Sequence, residues 1–385
     1  MTGLPPLSLY AHFPWCVAKC PYCDFNSHSL RGDLPAVAYT DALIRDLELS
    51  AQALQGREIS TVFFGGGTPS LFPPEELARF LAAVREHLSL ADDAEITLEA
   101  NPGAVEHAAF EHYLASGINR LSLGVQSLND NKLRALGRIH TAADARAAFH
   151  EARSAGFANI NLDLMYGLPE QTAGEALKDI EGVLELAPEH ISHYHLTLEP
   201  NTVFYANPPA LPDTDLAWEI QSGCAAALEK SAYDNYEVSA WASPGSECRH
   251  NLNYWRFGDY LGLGAGAHGK LTTGDSIIRQ ARPAHPREYM RAVEAEQPAG
   301  HEHPVEPADV RFEFMLNNLR LRSGFDLSRF EQLTGQSREE LAPGLELARK
   351  RLMLEFSAAD HVRPTPQGWR FLDDLQAIFL PEEAE

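Results

Sequence analysis

The sequence predicts an α/β fold built on parallel strands, followed by a small, mainly helical domain. Two observations carry this. Strand-like and helix-like segments alternate through the first part of the chain, and towards the end the pattern turns to helices with one short hairpin. A length of 385 residues accommodates both parts, and 44% apolar with 22% charged residues describes a chain that folds around a core.

Six strands are expected, at Leu7–Phe13, Ile59–Phe64, Ala94–Glu99, Asn119–Val125, Ala158–Met165 and His190–Leu198, each followed by a helical stretch. From Pro74 to Leu88, Leu77, Leu81, Val84 and Leu88 recur at helical spacing, with Pro74 suited to a first turn. A Pro-rich connection over 200–212 leads into a helix from Asp213 to Lys230. A Gly-rich stretch from Gly258 to Gly269 and a loop rich in Pro, His and Glu precede the last segments: Val310–Arg322, Leu327–Leu333, Arg338–Leu352, a turn around Ala358–Asp360, and Gln367–Phe379. That outline fits a winged helix, a shape used for packing as well as for DNA. The division expected is a core over 1–235, a connecting region over 236–300 and a C-terminal domain over 301–385.

Strand alternation decides which side chains meet. Ile160, Leu162 and Leu164 share one face, and Asn161 and Asp163 the other; Ile96 and Leu98 oppose Thr97 and Glu99; Leu121, Leu123 and Val125 oppose Ser122, Gly124 and Gln126. Glu99, Gln126 and Asp163 then stand at or near the C-terminal ends of parallel strands, where α/β folds place ligands. Any one of them could instead cap a helix or form a turn. Three on one polar wall point to a site.

The formal charge of −23 repels phosphate backbones and anionic headgroups, which disfavours nucleic acid as a partner. No apolar run suits a membrane span, and no basic-then-apolar leader opens the chain, so a cytoplasmic protein is expected. Of five cysteines, Cys16, Cys20 and Cys23 crowd into one loop after the first strand, poor spacing for a disulfide framework. A closed zinc site needs a fourth ligand, for which only His12 and His28 are near. Iron and sulfide fit better: three thiolates hold three irons of a [4Fe-4S] cube and leave the fourth open to an outside ligand.

Cys-x3-Cys-x2-Cys after a first strand resembles the radical S-adenosylmethionine (SAM) superfamily, which implies a (β/α)6 partial TIM barrel. In it the open iron is chelated by the methionine part of SAM. Gly65-Gly66-Gly67-Thr68-Pro69 looks like the superfamily's glycine motif, where bare backbone lets the cofactor approach. The resemblance narrows to the branch that holds oxygen-independent coproporphyrinogen III dehydrogenase and the HemW haem chaperones, and it runs over nearly the full chain. It implies that Cys16, Cys20 and Cys23 bind the cluster and that Tyr10, Tyr22, Gly66, Gly67, Thr68, Glu99, Gln126, Arg138 and Asp163 contact SAM. From its residues alone, Arg138 reads as a helix-surface side chain.

Two features point within the branch to the HemW family. Phe25 stands where the dehydrogenase pattern carries a fourth cysteine, and His250-Asn251-Leu252-Asn253-Tyr254-Trp255 is similar to the HemW signature His-Asn-x-x-Tyr-Trp. His250 would offer an imidazole, or Cys248 a thiol, to haem iron, Tyr254 and Trp255 the macrocycle face, Arg249 and Arg256 charge for propionates. The plain alternative, in which His250 hydrogen-bonds in the core and Trp255 packs on the barrel, stays open. The resemblance implies a haem chaperone that delivers haem to respiratory haem proteins, with homodimerisation and peripheral membrane association as further expectations. A radical SAM enzyme acting on a porphyrinogen is the alternative. Gly262 to His268 does not fit dinucleotide spacing, Cys224 reads as an inert core thiol, and His193 and His195 share one strand face that could meet substrate.

Overall fold

The computed structural model describes residues 4–54, 56–103, 108–274, 276–298, 300–357 and 360–381. Strand β1 (Leu7–Phe13) is buried on both faces, as a central parallel strand requires, with Leu7, Leu9, Ala11 and Phe13 at most 1% exposed. After it come the two-residue strands β2 (Trp15–Cys16) and β3 (His28–Ser29), paired in parallel across the cysteine loop. The remaining barrel strands are β4 (Glu58–Gly66), β5 (Ser89–Ala100), β6 (Arg120–Gln126), β7 (Ile160–Tyr166) and β8 (His190–His195). All six expected strands are present, with shifted ends: β5 starts earlier than predicted and β8 stops before Leu198. Neighbours from β1 and β4 through to β8 pair in parallel.

Outer helices close each crossover. The one at Pro74–His87 buries Leu77, Phe80, Leu81 and Val84 with Pro74 in its first turn. Thr141 with Asp144 and Thr172 with Glu175 form capping boxes on the helices Ala142–Ala155 and Ala173–Leu186. The helix Thr214–Lys230 starts on the Asp213 side chain, which accepts from the Leu216 N–H.

The sheet runs on past the boundary expected at residue 235. β9 (Asp234–Glu237) and β10 (Ala240–Ala242) add antiparallel beside β8. At the opposite edge β11 (Asp259–Leu263) pairs in parallel with β1, and β12 (His268–Thr273), β13 (Ser276–Ala281) and β14 (His301–Pro304) continue it antiparallel. Among the described residues the result is a 12-stranded sheet whose end strands, β14 and β9, do not pair with each other, an open barrel. Much of 236–300 is therefore sheet, with helices at Arg249–Trp255 and Pro286–Glu294 between its strands, and its glycines allow close approach: a Cβ on Gly262 would sit 2.0 Å from the His268 carbonyl oxygen, and one on Gly264 2.5 Å from that of His12.

Buried charges pin this extension. Asp259, fully buried, accepts from Arg57 Nη1 (2.8 Å), Lys270 Nζ (2.9 Å) and the Thr272 hydroxyl (2.9 Å). Asp46 receives two N–H groups of Arg282, at 2.9 and 3.0 Å, and the Tyr289 hydroxyl at 3.0 Å. The C-terminal part has its own core around Phe314, which meets Phe257, Phe325 and Phe330 edge-on. It is built from helices Pro307–Asn318, Leu327–Thr334 and Ala342–Lys350, a three-stranded sheet of β15 (Phe325–Asp326), β17 (His361–Pro364) and β16 (Leu354–Ser357), and short helices Pro366–Arg370 and Leu372–Ala377. Of the expected turn, residues 358 and 359 lie outside the described residues. Among the described residues no helix is long and apolar enough to cross a membrane.

Candidate functional site

A cavity of about 480 Å³ runs from the C-terminal ends of the barrel strands, at Gly66, Glu99 and Gln126, down to Arg120 and His190 where β6 and β8 begin. Cys16, Cys20 and Cys23 all line it. The cysteine loop is held to the glycine motif by backbone: the Gly67 N–H donates to the Phe13 carbonyl (2.8 Å) and the Thr68 N–H to that of Trp15 (2.7 Å). A Cβ on Gly67 would lie 2.6 Å from the Trp15 oxygen, so only glycine fits there. At its far end the Asn26 amide donates to the Ala265 and Ala284 carbonyls, at 2.9 and 2.8 Å, tying the loop to the Gly-rich stretch.

Burial pushes the Cys16 thiol up to about 11 and raises Cys23 as well. Thiols that resist ionising in this pocket would bind a metal centre only if it supplies the positive charge that burial withholds. Of the two imidazoles that could have completed a zinc site, His12 is engaged otherwise, with Nδ1 on the Tyr10 hydroxyl (3.0 Å) and Nε2 on the Asn26 carbonyl (2.8 Å); the His28 ring packs on His285, and its buried Nε2 has no hydrogen-bond partner among the described residues. Among the described residues no three His, Cys, Asp or Glu side chains converge to hold a single ion.

The polar wall expected from alternation is present. Glu99 accepts the Gly66 N–H at 3.1 Å; burial, then the nearby Asp163 carboxylate, pushes its carboxyl up to about 8. Asp163 is raised too, chiefly by burial, against hydrogen bonds from the Asn161 amide (2.8 Å) and the Ser122 hydroxyl (3.0 Å). The ladder between β6 and β7 slips between Leu123 and Gln126, and Gln126 takes a left-handed φ of 67° at the cavity rim. Arg138 is half-buried and turned inward, unlike the surface placement its residues alone suggest. Its guanidinium donates to the Asn101 amide oxygen (2.6 Å), the Gly124 carbonyl (2.8 Å) and the Cys20 sulfur (3.5 Å). Tyr10, Tyr22 and Thr68 complete the lining.

The helix Arg249–Trp255 packs on β4, β1 and β11, and its first N–H groups, from Arg249 and His250, donate to the Glu95 carboxylate at 3.1 and 3.0 Å. His250 is 1% exposed with both ring nitrogens engaged: Nδ1 with the Thr61 hydroxyl (2.7 Å), Nε2 with that of Tyr254 (2.8 Å). Burial lowers its pKa to about 3. An iron ligand at this position would first have to give up Tyr254. Trp255 lies under the Arg320 guanidinium, 4.1 Å from ring centre to Cζ, away from the cysteines. Arg249 pairs with Asp93 at the surface.

On the sixth strand His190, Ser192 and Tyr194 line the cavity, while His193 and His195 both pack on the Tyr166 ring, at 4.6 and 4.9 Å, and of these two only His195 also lines the cavity. Cys224 is buried with its thiol raised to about 12. Sequence reasoning missed Asn101, which joins Thr68 to Arg138, and Arg120, 2% exposed with an Nε that has no hydrogen-bond partner among the described residues. An arginine opening a strand gives no signal that it points inward.

The chain matches the radical SAM superfamily over residues 10–183 and the HemN C-terminal domain over 305–371. The solved structure of coproporphyrinogen III oxidase (HemN) from Escherichia coli, a radical SAM enzyme, aligns with a TM-score of 0.83 at 26% identity, covering 98% of this chain and 90% of that one. An open α/β barrel with this glycine motif and cysteine loop, followed by that C-terminal domain, makes the chain a radical SAM superfamily protein, a class that implies a [4Fe-4S] cluster and SAM. It is 47% identical over 383 residues to heme chaperone HemW of Escherichia coli (strain K12), covering 99% of this chain and 100% of the relative. With heme chaperone HemW of Haemophilus influenzae the identity is 46% over 389 residues, covering 100% of each. The chain belongs to the HemW family.

Proposed function

We propose that this protein is a haem carrier that binds haem and delivers it to respiratory haem proteins, with a [4Fe-4S] cluster and SAM in the barrel cavity. The full-length likeness to relatives named heme chaperone carries the reading. Haem is flat and largely apolar, so a carrier must cover its face against water and still release it.

Cys16, Cys20 and Cys23 would hold the cluster, which supplies an open iron for the methionine end of SAM. This chain's residues then do the positioning. Glu99 and Asp163, prearranged by the Gly66 N–H and by Asn161 and Ser122, accept paired hydrogen bonds from ribose hydroxyls. Arg138 offers a guanidinium to a carboxylate, and Gly66 and Gly67 leave backbone bare for an amino group. Tyr10, Tyr22, Thr68 and Gln126 pack around them. The core of the division is the barrel with its sheet extension, and the C-terminal domain is a packing module on it.

A second reading, a radical SAM enzyme acting on a porphyrinogen, is favoured by the complete set of cofactor-facing residues in one cavity. One experiment separates the two: the anaerobically reconstituted, reduced protein is titrated with haem and, in parallel, incubated with SAM and coproporphyrinogen III. The carrier reading expects saturable haem binding and no protoporphyrinogen IX. Porphyrinogen turnover, or no haem uptake, would overturn it.

A further inference from the structure

A second cavity, of about 670 Å³, backs onto the first across a shared wall of Tyr10, Gly66, Glu99, Phe25 and Tyr254. It lies between the β11–β13 end of the sheet and the C-terminal helix Pro307–Asn318, which contributes Asn317. Its size is in the range that takes cofactor-sized ligands. The walls are rich in rings. Tyr254 and Tyr260 meet edge-on at 4.6 Å, Trp255 stands beside them, and Phe25, 59% exposed, lines the cavity too. Such surfaces suit a flat macrocycle.

Two imidazoles line this cavity, and they differ. His12 has both nitrogens committed. His268, the first residue of β12, is exposed and its ring makes no hydrogen bond among the described residues. Nearby, Arg279 is anchored by the Tyr260 hydroxyl and by Glu313 on the C-terminal helix (2.5 Å to its carboxylate), with guanidinium donors left over for a carboxylate. A free imidazole, aromatic walls and a fixed cation are the parts that an iron porphyrin with propionate arms uses.

We propose that the second cavity is the haem site, with His268 as the axial ligand of the iron and Arg279 as the partner of a propionate. This rests on the haem-carrier reading and moves the ligand from His250, which is locked between Thr61 and Tyr254, to a residue that is free to bind. The C-terminal domain acquires a role as one wall of the pocket.

The test is an anaerobic haem titration of the full-length, cluster-loaded protein and its His268→Ala and His268→Gly variants, read by Soret position, by the spin state of the iron and by affinity, with His112→Ala as a surface control. His268 is exposed, so the variants should fold; unchanged circular dichroism and cluster absorbance verify it. Expected are a shifted Soret band, affinity weaker by about tenfold or more, and recovery of the wild-type spectrum when imidazole is added to His268→Gly. Wild-type spectrum and affinity in His268→Ala would overturn this assignment while leaving the carrier reading intact. So would weakened binding without any change in spin state. Absence of haem binding by the wild-type protein would instead remove the carrier reading itself.

Discussion

Replacing Glu99 by Gln should make the empty protein more stable as pH rises, the reverse of what losing a hydrogen-bonded carboxylate usually does. In the fold this carboxyl is pushed from 4.5 to about 8 by burial and by Asp163. Between those values the folded state holds a proton that the unfolded state has released, so stability falls as pH rises through the window and is lost in full above about 8. At about 1.36 kcal/mol per pH unit the whole displacement amounts to roughly 5 kcal/mol. The side chain is only half-buried and lines the cavity, so about 2–3 kcal/mol is the expected difference. Urea unfolding of the metal-free protein at a series of pH values from 5 to about 9 reads it: the wild type should lose ground to Glu99→Gln steadily across that range. Parallel curves for the two proteins would refute the reasoning that the cavity strains this carboxylate. Because SAM is cationic, it should also release a proton on binding near neutral pH, measurable as a buffer-dependent heat in calorimetry and absent in Glu99→Gln.

Three further outcomes follow from the packing. Gly67→Ala forces a methyl group to 2.6 Å from the Trp15 oxygen and breaks the join between glycine motif and cysteine loop; a loss of about 2–4 kcal/mol in chemical denaturation, with reduced cluster occupancy, is expected. Asp46→Ala leaves the Arg282 guanidinium, 2% exposed, without its partner, and should cost about 3–5 kcal/mol by the same measurement. Burial holds His140 down to about 4 and His193 and His250 to about 3, so stability present above 6.5 should drain away as pH falls towards 4, and His193→Phe should flatten part of that acid limb.

The barrel strands could be read in advance because each is an apolar run alternating with polar residues, and alternation alone put Glu99, Gln126 and Asp163 on one wall. What escaped were features set by partners distant in sequence. The stretch over 236–300 reads as a connector because its glycines weaken the strand signal; they serve to let β11 and β12 pass close to β1 and to each other. His250 reads equally as a ligand or as a core hydrogen-bonding residue, and only the fold shows its nitrogens taken by Thr61 and Tyr254, one of them 189 residues away. Arg138 follows a short helix with no pattern to show that it turns inward. The second cavity needs the C-terminal helix as a wall, and no local pattern announces a wall.

Transfer tests the carrier account most directly. Anaerobically reconstituted protein carrying haem is mixed with membranes that contain a respiratory apo-cytochrome, and the spectrum of each partner is followed after separation. The account predicts that haem leaves this protein and the cytochrome spectrum appears, with free haem at the same concentration a poorer donor. Haem that stays bound, or reaches the cytochrome no better than free haem does, would contradict it.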